Sequence, residues 1–86
     1  MSAPTPVANV VTVAARALVD RPGDVVVKES VHRGVVVVEL TVSASDVGKV
    51  IGRQGRTAEA LRALVAATAH HYGTKASLEI RGPEGR

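Results

Sequence analysis

The sequence predicts an α+β domain of order α-β-β-α-α-β, in which helices cover one face of a mixed three-stranded sheet. Three observations carry this. Apolar residues recur at helical spacing from Val7 to Leu18 and again from Ala58 to Tyr72. Between and after those stretches they alternate with polar residues, rich in Val, as half-buried strands require. A crossover of about thirty residues separates the second and third strands, which suits parallel neighbours, whereas the first two are joined tightly enough to pair antiparallel.

The elements follow in chain order. Thr5 is the expected N-cap of the first helix and Pro6 its first residue, where a missing N–H costs nothing. Val7, Val10, Val11, Ala14 and Leu18 form its apolar stripe, and the helix ends near Asp20, where Arg21-Pro22-Gly23 turns the chain. In the first strand Val25, Val27 and Val31 share a face with Glu29. In the second, Val36, Val38, Leu40 and Val42 make a cleaner alternating set, and His32-Arg33-Gly34 connects the two as a hairpin. Ser43 with Asp46 three residues later is a carboxylate variant of the capping box, followed by a short helix with Val47, Val50 and Ile51 on one side and Gly52 as its stop. The longest helix runs from about Arg56, with Ala58, Leu61, Leu64, Val65, Thr68 and Tyr72 in register, until Gly73 ends it. Ala76, Leu78 and Ile80 alternate with Ser77, Glu79 and Arg81 in the third strand. The expected organisation is a flexible N-terminus over 1–6, one domain over 7–81 and a flexible tail over 82–86.

With 86 residues the chain has room for one core, and its 45% hydrophobic content is that of a globular domain. One Tyr and no Phe or Trp make that core aliphatic. Without cysteine it relies on packing alone, which fits a reducing compartment. "MSAPTPVANV" has no charged leader followed by an apolar stretch, and no apolar run approaches the roughly 18 residues of a membrane helix. The expectation is a soluble, cytoplasmic protein without a membrane partner. The net charge of +3 is slight, but its distribution is uneven: Lys49, Arg53, Arg56 and Arg62 fall within fourteen residues.

Those cations belong to "KVIGRQGRTAEALR", where Gly52 and Gly55 bracket Arg53 and Gln54. A P-loop would need glycine where Val50 stands, and a Rossmann turn would need a strand where a helix is expected, so nucleotide hydrolysis has no support. A turn between helices, bare of Cβ atoms at two positions, lets a sugar-phosphate chain approach main-chain amides at the positive end of the second helix. Arg53 and Arg56 add attraction, and Val47, Val50 and Ile51 supply an apolar wall for bases. Adjacent His70 and His71 point about 100° apart along a helix and do not form a chelating pair. No catalytic triad or carboxylate pair can be assembled, so neither enzyme activity, nor a metal or cofactor, nor a small-molecule substrate is expected.

"GKVIGRQGRTA", Gly48 to Ala58, resembles the K-homology (KH) signature Val-Ile-Gly-x-x-Gly-x-x-Ile, and the element order is that of the type II KH fold. The resemblance extends from Val7 to Arg81. It implies that Gly52, Arg53, Gln54 and Gly55 clamp about four nucleotides of single-stranded RNA. It further implies that Lys49, Val47, Val50, Ile51, Arg56 and Ala58 line the approach, and that the third strand and Gly73 to Lys75 form the opposite wall. Ala58 stands where the signature ends in Ile, which shrinks the apolar surface there. Small bacterial KH proteins of this kind imply an RNA chaperone or post-transcriptional regulator linked to cell shape and cell-wall homeostasis. They also imply a homodimer, or a heterodimer with a larger Jag-type KH-containing RNA-binding protein. The alternative reading is an interaction module whose main role is dimerisation or docking to such a partner. The scarcity of aromatics argues against modules that hold bases mainly by stacking.

Overall fold

The computed structural model describes residues 5–83, and the outer parts of the two expected flexible ends lie outside them. Helix α1 (Pro6–Leu18) begins as the sequence predicts, with the Thr5 hydroxyl accepting the Ala8 N–H at 3.1 Å. The same hydroxyl donates to Glu29 at 2.6 Å, and the second Glu29 carboxylate oxygen accepts the Thr5 N–H at 3.1 Å. A carboxylate is thereby held against the positive end of α1, and the edge strand is tied to the helix. Thr5 and Pro6 are thereby joined directly to α1 and β1.

Arg21-Pro22-Gly23 closes the helix as expected, through one turn of 3-10 helix at Pro22–Asp24. Strand β1 (Val26–His32) then pairs antiparallel with β2 (Val35–Thr41). Arg33 (φ 54°) and Gly34 (φ 81°) both take positive φ, the two-residue turn whose twist matches a hairpin. Strand β3 (Lys75–Arg81) pairs parallel with β2, giving the order β1-β2-β3 and the mixed sheet of a type II KH domain. Between β2 and β3 run α2 (Val47–Ile51) and α3 (Arg56–His71).

The core is aliphatic throughout. Val7, Val11 and Ala15 of α1 meet Val36, Val38 and Leu40 of β2, Val42 just beyond it, Val50 of α2, Leu61, Val65 and Ala69 of α3, and Leu78 of β3. Each fully buried Val or Leu contributes roughly 1.5–3 kcal/mol, so no aromatic residue is needed to hold the layers together.

Four expectations need correction. Val25 is buried ahead of β1, but Val31 is exposed near the hairpin tip. Leu18 and Leu64 are exposed, and the buried stripes use Ala8, Ala15 and Ala69 instead, because helices packed closely need small residues at the contact. Tyr72 is the C-cap of α3, not part of its buried face, and is 61% exposed. Asp46 does not act as a capping-box carboxylate for the turn that begins at Ser43. Its side chain is fully buried and accepts the main-chain N–H groups of Asp20 (3.3 Å) and Arg21 (3.0 Å), which lie just after α1.

Candidate nucleic-acid interface

α2 ends at Gly52, whose N–H donates to the Gly48 carbonyl at 2.9 Å and whose φ of 78° and ψ of 171° lie in a region open essentially only to glycine. A Cβ there would also collide with the Thr57 side chain and approach the Thr57 main-chain nitrogen to 2.9 Å. Gly52 therefore lets α3 start directly against the end of α2. Gln54 (φ 57°) and Gly55 (φ 73°) follow in left-handed conformations, and a Cβ on Gly55 would meet nothing within 4 Å. The two glycines serve different ends: one admits a close approach inside the protein, the other sets the curl of the loop.

The curl decides which amides are available. Gly55 N–H donates to the Gly52 carbonyl at 3.1 Å, and Arg56 N–H to the Arg53 carbonyl. The amides expected to be open at the start of α3 are thus used inside the turn. The amides of Arg53 and Gln54 have no acceptor among the described residues. Both side chains are exposed, as is that of Arg56. Among the described residues Arg53, Arg56 and Arg62 have no acidic partner, so the guanidinium groups keep their charge for a ligand.

The remaining candidate residues divide. Val47 and Ile51 on α2 are half-buried, and Val47 packs against the core, as do Ala76 and Ile80 on β3. Val47 lies beside the end of β3, where a Cβ on Gly82 would come within 3.3 Å of its Cγ2. Val50 and Ala58 are buried and offer no surface to a base. They join α2 and α3 to the core, and a small residue at 58 fits that position. Lys49 is turned away from the loop, with its ammonium 3.0 Å from Asp20 and 3.5 Å from Asp46. The Asp20 hydrogen bond, followed by the Asp20 charge, raises the Lys49 pKa and fixes it as a cation in this network.

Asp46 is the anchor of the site: local spacing marks it beside Ser43, but nothing in that spacing shows its partners after α1. Burial is the largest single influence on its carboxyl and acts to raise the pKa. The amides of Asp20 and Arg21, the Ser43 hydroxyl at 3.1 Å and the Lys49 charge together outweigh it and hold the pKa below the ordinary carboxylate value. This network ties α2, and so the loop that follows, to the end of α1. Thr57 and Asp20 were missed. A Thr two residues after a Gly-x-x-Gly carries a faint signal, whereas nothing in the spacing of Asp20 marks its partner.

A family model described as KhpA/KhpB, KH domain, matches residues 8–80. The RNA-binding protein KhpA of Treponema pallidum is 54% identical over 66 residues, covering 77% of this chain and 82% of that protein. KhpA of Clostridium perfringens is 45% identical over 72 residues, covering 84% of this chain and 96% of that protein. Among solved structures, a variant of Aquifex aeolicus Era bound to GDP.AlF4- superposes with a TM-score of 0.64 at 18% identity, over 95% of this chain and 33% of that one, a likeness of fold alone.

Proposed function

The chain belongs to the KhpA/KhpB KH-domain family, which is not an enzyme family, and we propose that it binds single-stranded RNA through the Gly52–Gly55 loop. The observation that carries this reading is the pair of main-chain amides at Arg53 and Gln54, left without internal acceptors between two positive-φ glycines and flanked by uncompensated arginines. Phosphates meet the amides and the Arg53 and Arg56 guanidinium groups. Bases lie against the half-buried aliphatic surface of Val47 and Ile51 on one side and of β3 on the other. The grip covers about four nucleotides. The role in the cytoplasm is that of an RNA chaperone or post-transcriptional regulator, linked to cell shape and cell-wall homeostasis.

About three phosphate contacts set the strength of the grip and its response to salt. Plotting the logarithm of the affinity for a labelled oligouridine against the logarithm of salt concentration is expected to give a slope of about −2, from a coefficient of roughly −0.7 per contact. A slope near zero, or no binding at low salt, would overturn the reading.

A second observation favours self-association. α1 has no acidic residue, and its outward Val13 is 71% exposed. Val10, Val13 and Ala14 line a shallow apolar groove with Asn9 and Leu64 of α3. We read this face as the pairing surface for a second copy or for a larger Jag-type KH-containing partner, because joining two weak sites raises their combined avidity. Nuclease-treated protein is expected to elute as a dimer in size-exclusion chromatography at tens of micromolar, and Val13→Asp as a monomer. A parent that is monomeric after nuclease treatment would contradict self-pairing.

A further inference from the structure

We infer that the end of the domain around Tyr72, far from the Gly52–Gly55 loop, is a second contact for the same RNA strand, in which the tyrosine ring stacks on a base and Arg33 and Lys75 hold the neighbouring phosphates. The inference rests on the RNA-binding reading of the loop and extends it. α3 has 16 residues and separates the two places by about 24 Å at 1.5 Å per residue, so a strand must extend beyond the loop to touch both.

Tyr72 is the only aromatic residue among Phe, Trp and Tyr in the chain. It is 61% exposed. It is also held in place. Its N–H donates to the Thr68 and Ala69 carbonyls, Gly73 N–H donates to His70 at 3.0 Å, and Thr74 N–H donates to Ala69 at 2.9 Å. The His71 ring stands edge-on to it at a centroid distance of 4.9 Å and an interplanar angle of 86°. The largely exposed phenol ring thus sits on a hydrogen-bonded turn, and an exposed aromatic ring is the kind of platform on which a base stacks without regard to its identity.

The surroundings select for a polyanion. The strand register places His32, Val35 and Lys75 in one row, with exposed Arg33 at the adjoining hairpin tip. The sequence carries no Asp or Glu from Ser30 to Val38 or from Ala60 to Leu78. The strand acids lie elsewhere: Glu29 is bonded to Thr5, and Glu39 and Glu79 flank Arg81 at the other end of the sheet. An open aromatic ring inside an acid-free cationic surface fits a single-stranded nucleic acid better than it fits an acidic peptide, which has no bases to stack.

Because the chain has one tyrosine and no tryptophan, its intrinsic emission reads this place alone. Oligouridines of four and of twelve nucleotides are titrated while tyrosine emission is recorded, and affinities are measured in parallel by anisotropy of end-labelled RNA. The longer RNA is expected to quench Tyr72 and the shorter one to leave it unchanged. Tyr72→Ala, and separately Arg33→Glu, are expected to weaken the longer RNA about tenfold without affecting the shorter, and Tyr72→Phe to retain parent affinity. Unchanged affinity of both variants for the longer RNA, or equal losses on both lengths, would overturn the second contact while leaving the loop reading intact. If the parent bound neither RNA, the loop reading and this extension would fall together.

Discussion

Replacing Arg53 and Gln54 together by Asp is expected to lower affinity for single-stranded RNA at least a hundredfold, while the melting temperature stays within a few degrees of the parent. The fold should survive because both side chains are exposed and neither is needed inside the protein. Gln54 already holds a left-handed φ of 57°, a region where Asp is among the better-tolerated residues. The binding should not survive. One positive charge is removed and two negative charges are added beside the two amides without internal acceptors, so the place meant for a phosphate becomes anionic. The loss should also be specific to this place. Arg62→Ala, farther along α3, is the control, and its effect should be a few-fold at most. The measurement is a binding titration at fixed low salt, with circular dichroism and thermal melting on the same samples. Near-parent affinity in the double variant would mean that RNA, if bound, is held elsewhere.

Much of this arrangement was readable from residue spacing, and the failures share a physical cause. The alternating valines of β2, the Thr5-Pro6 start of α1 and the glycine stops at 52 and 73 are local signals, and each stands where the spacing predicts. The buried side of α3 was harder to read. Ala occurs all around that helix, so its periodicity is nearly flat: the spacing finds Ala58, Leu61 and Val65, but it also draws in the large exposed residues Leu64 and Tyr72 and passes over Ala69. In the site the same division holds. The two glycines and exposed arginines declared themselves, whereas the withdrawal of Lys49 depends on Asp20, twenty-nine residues earlier in the chain. Val50 and Ala58 look like groove residues until the helices are packed, because one apolar face cannot both line a cleft and fill a core.

Asp46→Ala is expected to be strongly destabilising, lowering the melting temperature by roughly 15 °C. Its carboxylate is the one buried charged side chain among the described residues. Removing it strands the amides of Asp20 and Arg21 and the Ser43 hydroxyl, and leaves Lys49 with only the exposed side of its network. Unmade buried hydrogen bonds cost more than made ones contribute, so the loss exceeds the removal of an ordinary surface acid. Asp46→Asn keeps the shape and one acceptor but not the charge, and should fall between Ala and the parent. The pH dependence follows from the direction of the shift. A carboxyl with a folded-state pKa below its unfolded value contributes stability that is fully present above the unfolded pKa and is lost as pH falls through the folded one. The parent should therefore lose stability on acidification below the ordinary carboxylate range, and Asp46→Asn should lack that part of the decline. Since α2 leads into the Gly52–Gly55 loop and is tied to α1 through this carboxylate, the Asn variant should also bind RNA more weakly while still folded. Parallel melts across pH and one binding titration at neutral pH test both consequences, and a variant that melts like the parent at every pH would show that the buried network does not hold the helices together.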